Sequence, residues 1–419
     1  MNMREMKDSG IDWIGAIPFQ WSIDKLKYHL KRNEPKNPRE QIVLSLYREL
    51  GVVPKDSRDD NHNVTSDDTS NYKYVRIGDF VINKMKAWQG SVAVSDYEGI
   101  VSPAYFIYNF TDTVFYKKYF HYLLRSCYKD EFRRLSGGIR EGQWDLPAEA
   151  LNNTPVLIPT LSEQQTIACF LDRKSAECDA LVSDLQSQIE VLEEYKRSVI
   201  TEAVTKGLDP DVEMRDSGIA WVGDIPAHWL VEKVKFHLQR NEPRNPGDKQ
   251  VLSVYREYGV IPKDSRDDNH NVTSEDTSNY KYVVPGNLVI NKMKAWQGSM
   301  GVSEYEGIVS PAYFIYKFTD NQIMPKYLHY LFRSCYKDEF RRISGGIREG
   351  QWDLSPYEFS NTLLLIPPTD EQNRIVSYID ARISEIEFAI TEKKQQIETI
   401  KEYKKSLIFE YVTGKKEVV

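Results

Sequence analysis

The sequence predicts a mixed α/β (α+β) protein: two copies of one globular domain, joined to two long helices that bury each other. Three observations predict it. The chain repeats itself at a displacement of 208 positions, each repeat runs through short β-type segments into a late helix, and each ends in a long heptad pattern. Self-comparison comes first because a missed repeat misreads the whole fold. Asp8-Ser9-Gly10-Ile11 recurs as Asp216-Ser217-Gly218-Ile219, Trp13 as Trp221, Pro18 as Pro226 and Trp21 as Trp229. The register holds without an insertion, so that 54–66 equals 262–274, 81–91 equals 289–299 and 125–134 equals 333–342. A period this long is a duplicated domain, not a solenoid.

The repeat is unevenly kept. From 40 to 146 there are 23 mismatches in 107 aligned positions, whereas 164–200 shares only about a third of its residues with 372–408. Two surfaces that recognise the same thing would hold the middle of each repeat identical while its end drifts; a recent duplication is the competing explanation.

Within one repeat, the opening Trp13-Ile14-Gly15-Ala16-Ile17-Pro18-Phe19-Gln20-Trp21 sets Gly and Pro turns between bulky anchors. An amphipathic stretch with Ile23, Leu26, Lys27 and Leu30 follows, so 1–24 is expected to be a docked arm. Short β-type runs are predicted at 42–46, 72–75, 80–82, 91–94 and 104–110, parted by Gly, Pro, Asn and Asp. Phe120, Leu123, Leu124, Cys127 and Phe132 place a helix over 116–134. After Ile158-Pro159, a cap-like Ser162 precedes Glu163. Ile167, Leu171, Lys174, Cys178, Leu181, Leu185, Gln188, Leu192, Tyr195 and Val199 then alternate at +4 and +3. In repeat two the seam reads Ile375, Ile379, Arg382, Ile386, Ala389, Lys393, Gln396, Ile400, Tyr403 and Leu407, with extra apolar positions at Ile383, Ile390 and Ile397. Neither stripe can bury itself alone, and each such helix would span about 60 Å at 1.5 Å per residue. Packing is expected through Ile167, Leu171, Leu181, Leu185 and Leu192 on one helix and Ile375, Ile379, Ile386, Ile400 and Leu407 on the other.

The domain boundaries follow: arm 1–24, first domain 25–160, first helix 161–207, second opening segment 208–232, second domain 233–368, second helix 369–414 and tail 415–419. With 28% charged residues, no apolar run near eighteen residues and no signal-like h-region at the start, a cytoplasmic protein without membrane contact is expected. Cys127, Cys169, Cys178 and Cys335 form no C-x-x-C pair and read as thiols, so no metal site is expected.

A search for catalytic motifs fails. There is no phosphate-binding G-x-x-x-x-G-K-[ST], no G-x-G-x-x-G after a strand, no H-E-x-x-H and no G-x-S-x-G. Ser102-Pro103-Ala104-Tyr105 lacks the amide and second proline of the Asn-Pro-Pro-Tyr loop of amino-methyltransferases and reads as the start of a strand. Asp56, Asp59, Asp60 and Asp68 around His62 lack the glycine and terminal glutamate of a calcium loop and read as a solvated acidic loop.

Binding signals are stronger. The net charge of −7 argues against a nucleic-acid partner on its face, yet it is unevenly spread. Between Lys117 and Trp144, seven bases (Lys117, Lys118, Arg125, Lys129, Arg133, Arg134, Arg140) oppose three acids, a local +4, while 172–197 carries seven acids against four bases. The segment 136–144 joins a glycine loop to Arg140, Gln143 and Trp144; arginine and glutamine make bidentate contacts to guanine and adenine edges. The segment 83–90 is a second basic, aromatic, amide-bearing loop with Lys84, Lys86, Trp88 and Gln89. With Arg133 and Arg134 these are the candidate DNA contacts. Repeat two supplies Lys292, Lys294, Trp296, Gln297, Arg341, Arg342, Arg348, Gln351 and Trp352 at the same places. Singly, each motif also reads as an ordinary hairpin or turn.

Trp-Ile/Val-Gly-x-Ile-Pro-x-x-Trp opening each half, a domain, then Ile158-Pro159 to Glu163-Gln164 and Ile366-Pro367 to Glu371-Gln372 leading into heptads resembles the specificity subunit of type I restriction-modification systems, over essentially the whole chain. The resemblance implies two target recognition domains, each reading one half of a bipartite double-stranded DNA site, separated by two long antiparallel helices that form a coiled-coil rod. It implies two methyltransferase subunits and restriction/translocase subunits as partners. It also implies no active site and no cofactor on this chain, with S-adenosylmethionine, ATP and Mg on those partners. Family members usually carry two dissimilar domains, whereas these two agree, which points to an interrupted palindrome. A coiled-coil scaffold with twin protein-binding domains is the rival reading; a self-sufficient methyltransferase or nuclease is disfavoured by the missing cofactor loop.

Overall fold

The computed structural model describes residues 4–38, 41–47, 50–57, 68–138, 144–256, 258–265, 273, 276–346 and 352–418. The chain divides into two compact units, Met1–Leu185 with Lys394–Val419, and Gln186–Lys393.

In the first unit, β1 (Met6–Asp8) pairs antiparallel with β2 (Ala16–Pro18), and Ile14, Ile17 and Trp21 are buried behind them. The amphipathic stretch that follows is not helical. Residues Ser22–Lys25 form β3, which pairs with β12 (Pro155–Ile158) at the far end of the domain, and a single 3-10 turn at Leu26–Tyr28 leads to β4 (Leu30–Arg32). Pairing with an otherwise open strand edge satisfies a whole row of backbone groups, which outweighs a weak 3.6-residue period.

Two hairpin strands, β5 (Leu44–Tyr47) and β6 (Gly51–Pro54), precede β7 (Lys73–Val75), β8 (Phe80–Asn83), β9 (Val92–Val94), β10 (Gly99–Val101) and β11 (Tyr105–Phe110). The central sheet runs β4-β11-β8-β9, antiparallel throughout. It is buried on both faces, and the period of two sorts its side chains. Phe80, Ile82, Phe106 and Tyr108 join the main core, whereas Val81, Ala93 and Ile107 meet Leu44, Leu46, Val52 and Val75 in a second, smaller core. The same split recurs around Leu288–Asn291 and Tyr313–Phe318.

The helix predicted over 116–134 is two helices, α1 (Lys117–Cys127) and α2 (Lys129–Leu135), broken at Tyr128 with φ −98° and ψ 0°. The break lets Tyr128, fully buried and edge-on to Trp13 at 4.7 Å, and Phe132 face the same core. A third helix, α3 (Ala148–Asn153), leads into β12. Gln164 then fastens the start of the first long helix, Leu161–Lys206, to its domain. Its amide donates to the carbonyls of Val114 and Pro159 at 2.9 and 3.0 Å and its Oε1 accepts from Tyr116 N at 2.8 Å. Gln372 repeats this against Gln322, Pro367 and Met324 at the start of the second long helix, Thr369–Val412.

The two long helices run antiparallel within each unit. In the first, Phe170 stacks on Tyr411 and Asp179 pairs with Lys404; in the second, Gln188 accepts from Lys393 and Glu387 pairs with Lys196. As one partner's number rises, the other's falls. The 208 displacement maps Asp179 and Lys404 onto Glu387 and Lys196, so the two ion pairs are the same contact made twice.

The seam requires a correction. The rung Leu171, Cys178, Leu185, Leu192 and Val199 is covered, but the alternate rung is Ser175, Val182, Ile189, Lys196 and Ala203, one residue later than the heptad reading placed it. Leu181 is 55% exposed and Tyr195 48%. On the other helix Ile383, Ile390 and Ile397 are seam positions rather than extras, and Tyr403 is 55% exposed. Ile167, Leu171, Ile375, Ile379, Ile386 and Leu407 are buried, and Leu185, Leu192 and Ile400 are partly covered. Two lysines explain the shift. Lys196 and Lys404, each one residue past an exposed tyrosine, cover the seam with their stems while their ammonium groups reach carboxylates at the rim, as Lys393 on the shared rung reaches Gln188, so a core position carries a charged residue.

Each unit is closed by the helix end of the other repeat. Leu407 and Val412 lie in the core built around Phe120 and Leu151, and buried Tyr119 donates to Val412 O at 2.9 Å. Ala203 and Val204 lie in the core of the second domain, where Tyr327 donates to Val204 O at 3.2 Å. Gly414, at φ +72°, ends the helix against the opening segment; a Cβ there would fall 2.4 Å from Pro18 Cδ. Leu407→Ala is therefore expected to lose about 2–5 kcal/mol from the first unit. Hydrogen exchange should rise in Lys117–Cys127 and stay unchanged in Pro325–Ser334.

Buried histidines give a pH dependence. His121 on α1 faces Val94 N–H and the Arg125 guanidinium, and burial with that cation lowers its pKa from 6.5 to about 4; burial beside Arg333 lowers His329 further, to about 3. Unfolded chains take up protons near pH 6.5 that the folded protein refuses, so stability falls as pH drops from about 6.5 toward 4. His121→Gln with His329→Gln should flatten the decline in thermal midpoint between pH 7 and pH 4.5.

Candidate nucleic-acid interface

The basic turn leaves β8 at Asn83 and is built to hold one shape. Asn83 O accepts from Lys86 N at 3.0 Å and Asn83 Oδ1 from Met85 N at 3.2 Å. A 3-10 turn, Ala87–Gln89, buries Ala87 and stops at Gly90, whose φ of +86° favours glycine. Trp88 Nε1 donates back to Met85 O at 3.1 Å. In repeat two the same bonds form at Asn291, Met293 and Trp296, and Gly298 has φ +84°.

Helix α2 and the strand-like pair Gly137–Asp145 stand beside this turn. Gly137 and Asp145 exchange backbone bonds at 3.2 and 2.9 Å, and Leu146 N donates to Lys84 O at 3.0 Å. Lys84 Nζ reaches Asp145 Oδ2 at 2.8 Å, as Lys292 reaches Asp353 at 3.0 Å. Trp88 packs edge-on against Trp144 with ring centres 5.4 Å apart, and the Arg133 guanidinium lies 5.9 Å over Trp144. Trp296, Trp352 and Arg341 repeat the stack at 5.3 and 5.7 Å. The structure thus brings Lys84, Lys86, Trp88, Gln89, Arg133 and Trp144 to one surface.

The cations on that surface differ in availability. Arg134 is exposed, but both arms of its fork are held by Glu131 at 2.7 Å, and Arg342 is held by Glu339 in the same way. Lys84 and Lys292 are committed to their aspartates. Lys86 and Lys294 are exposed, Arg133 and Arg341 lie over their indoles, and none of the four is paired with a carboxylate among the described residues. The basic stretch from Lys117 is not a single patch. Lys118 is bound to Asp172 on the long helix and Arg125 to His121, so only its later residues lie at this surface. Arg140, Gln143, Arg348 and Gln351 lie outside the described residues, as do Asp59, Asp60 and His62 of the acidic loop.

Sequence reading missed Met85, Met293, Asp145 and Asp353. The Lys-Met-Lys alternation is a visible signal for the methionines; nothing local marks the aspartates, which lie 61 positions from their lysines. All four cysteines are free thiols. Among the described residues no group of three or more His, Cys, Asp or Glu could hold a metal ion, and no helix is long and apolar enough to cross a membrane.

Duplicated α/β domains, each with a basic and aromatic turn and each fastened to a long helix, give the chain two like surfaces of the kind that suits a polyanion. The model of the type I restriction modification DNA specificity domain matches residues 34–191 and again 237–399, and the chain belongs to that family. A Methanocaldococcus jannaschii chain provisionally named as the type I restriction enzyme MjaX specificity subunit is 21% identical over 430 aligned positions, covering 96% of this chain and 95% of that one. The Escherichia coli K12 type I restriction enzyme EcoKI specificity subunit is 23% identical over 277 positions, 62% of this chain and 57% of that one. The fold is shared with the crystal structure of the HsdS subunit from Thermoanaerobacter tengcongensis (14% identity, TM-score 0.51, covering 95% and 98%). It is also shared with a chain from a structural study of type I R-M complex assembly and conformational transition (13% identity, TM-score 0.62, covering 95% and 99%).

Lys86→Ala with Lys294→Ala is expected to weaken binding to all duplexes alike and to reduce the slope of log K against log salt by about 2, at roughly 0.9 per phosphate contact. Titrations at several salt concentrations check it.

Proposed function

We propose that this chain reads DNA for a type I restriction-modification assembly and carries out no reaction itself. Each repeat binds one half of a bipartite site in double-stranded DNA. The two halves are the same sequence read on opposite strands, so the site is an interrupted palindrome. Two adenine methyltransferase subunits dock on the chain, with restriction/translocase subunits beyond them; these partners bring S-adenosylmethionine, ATP and Mg. The assembly works in the cytoplasm.

One observation carries the reading: the turn, the indole pair and the cation above it recur in both repeats with ring distances agreeing within 0.1 Å, 5.4 against 5.3 Å. Surfaces alike in residues and geometry select alike ligands. The identity of 136–142 with 344–350 extends the match along the sequence. Acidic residues concentrate on the long helices, which explains the net −7 without weakening the basic turns.

Single-molecule sequencing of DNA methylated by the assembled complex should give a palindromic pair of half-sites around a fixed spacer. Two unrelated half-sites would overturn the palindrome. Arg140→Ala with Arg348→Ala should relax preference at one base pair per half-site, by about 1–3 kcal/mol each, in the same assay.

A further inference from the structure

Met85 lies between Lys84 and Lys86 in the basic turn and is 47% exposed; Met293 is 46% exposed in the second repeat. Its backbone is clamped on both sides, the N–H by Asn83 Oδ1 at 3.2 Å and the carbonyl by Trp88 Nε1 at 3.1 Å. Trp88 is itself braced by Trp144, which Arg133 covers. Met293 is held by Asn291 and Trp296 at 3.2 Å each. A lone exposed apolar side chain is ordinary on a protein surface. What sets these two apart is their place: a flexible apolar side chain presented on a backbone held at both its N–H and its carbonyl, in both repeats, beside cations that attract a polyanion.

We propose that Met85 and Met293 determine specificity by packing on the 5-methyl group of a thymine in the major groove of each half-site. The proposal rests on the DNA-reading function above. The thymine methyl is the apolar feature that base edges offer in that groove. A wedge between base steps is the competing mode for an apolar side chain. It suits a side chain free on all sides, whereas about half of each methionine is covered, leaving a patch rather than a blade.

The test uses the full chain assembled with methyltransferase subunits and two pools of randomised duplexes, one synthesised with thymine and one with deoxyuridine throughout. Methylated adenines are read by sequencing. Removing one buried methyl group should cost about fourfold per half-site, so the unaltered complex should methylate its preferred site about fifteenfold less well in the uracil pool. Met85→Ala with Met293→Ala should abolish that difference, and Met85→Leu with Met293→Leu should keep most of it. Equal methylation of both pools by the unaltered complex, with a clear preferred site, would overturn the methionine assignment alone. So would an alanine variant that keeps the thymine-to-uracil ratio, or one that changes duplex bending measured by fluorescence transfer, which would make the side chain a wedge. Absence of any preferred site in either pool would instead overturn the DNA-reading function.

Discussion

The structure depends on an exchange: each domain is finished by the carboxyl-terminal end of the other repeat's helix. Tyr119 and Tyr327 are fully buried phenols, and each finds its acceptor on a carbonyl of the exchanged helix end, Val412 and Val204. Without those carbonyls each hydroxyl would be a buried donor lacking a partner, which costs about 1–3 kcal/mol, and the apolar face around it would open to water. Burial holds both phenols well above their ordinary pKa, so they stay neutral donors at any physiological pH. The first domain therefore needs residues near the end of the chain, and the compact unit gathers Met1–Leu185 with Lys394–Val419 rather than one sequence repeat.

Much of this was legible in the sequence. The 208 displacement located both domains, and the central strands were visible because their apolar runs are buried on both faces. What misled was degeneracy. A +4/+3 pattern and a +3/+4 pattern share every second rung, here Leu171, Cys178, Leu185, Leu192 and Val199. The choice between Leu181 and Val182 then rests on neighbours, and the neighbours include seam lysines whose stems pack while their charges leave. Long-range pairing was equally invisible. Nothing near 22–25 reveals that β12 will be its partner, and nothing near Tyr128 reveals that the helix must break to bring it against Trp13. The Glu-Gln motif gave the family resemblance, while its physical work, the Gln164 clasp on Val114, Tyr116 and Pro159, needed three dimensions.

The candidate interface follows the same logic at smaller scale. Composition located the basic turns, but it could not rank their cations. Arg134 looked equivalent to Arg133 until Glu131 took both arms of its guanidinium, and Lys84 proved to be a tether to Asp145. What remains without a carboxylate partner among the described residues is a small set of cations beside a braced pair of indoles, with an apolar methionine whose backbone N–H and carbonyl are both hydrogen-bonded. Preorganisation of this kind reduces the side-chain ordering that binding must otherwise pay for.

Exchange of helix ends has a direct consequence for half the molecule. A fragment of residues 1–208 contains one domain and one complete long helix, and its own helix end carries Val199, Ala203 and Val204 where the intact chain would supply Leu407, Tyr411 and Val412. Two copies can close each other; one copy cannot close itself. Sedimentation of the fragment across a dilution series, with circular dichroism at each concentration, is the most direct measurement. A folded dimer that loses structure as it dissociates is the predicted result, and a stably folded monomer would contradict the account.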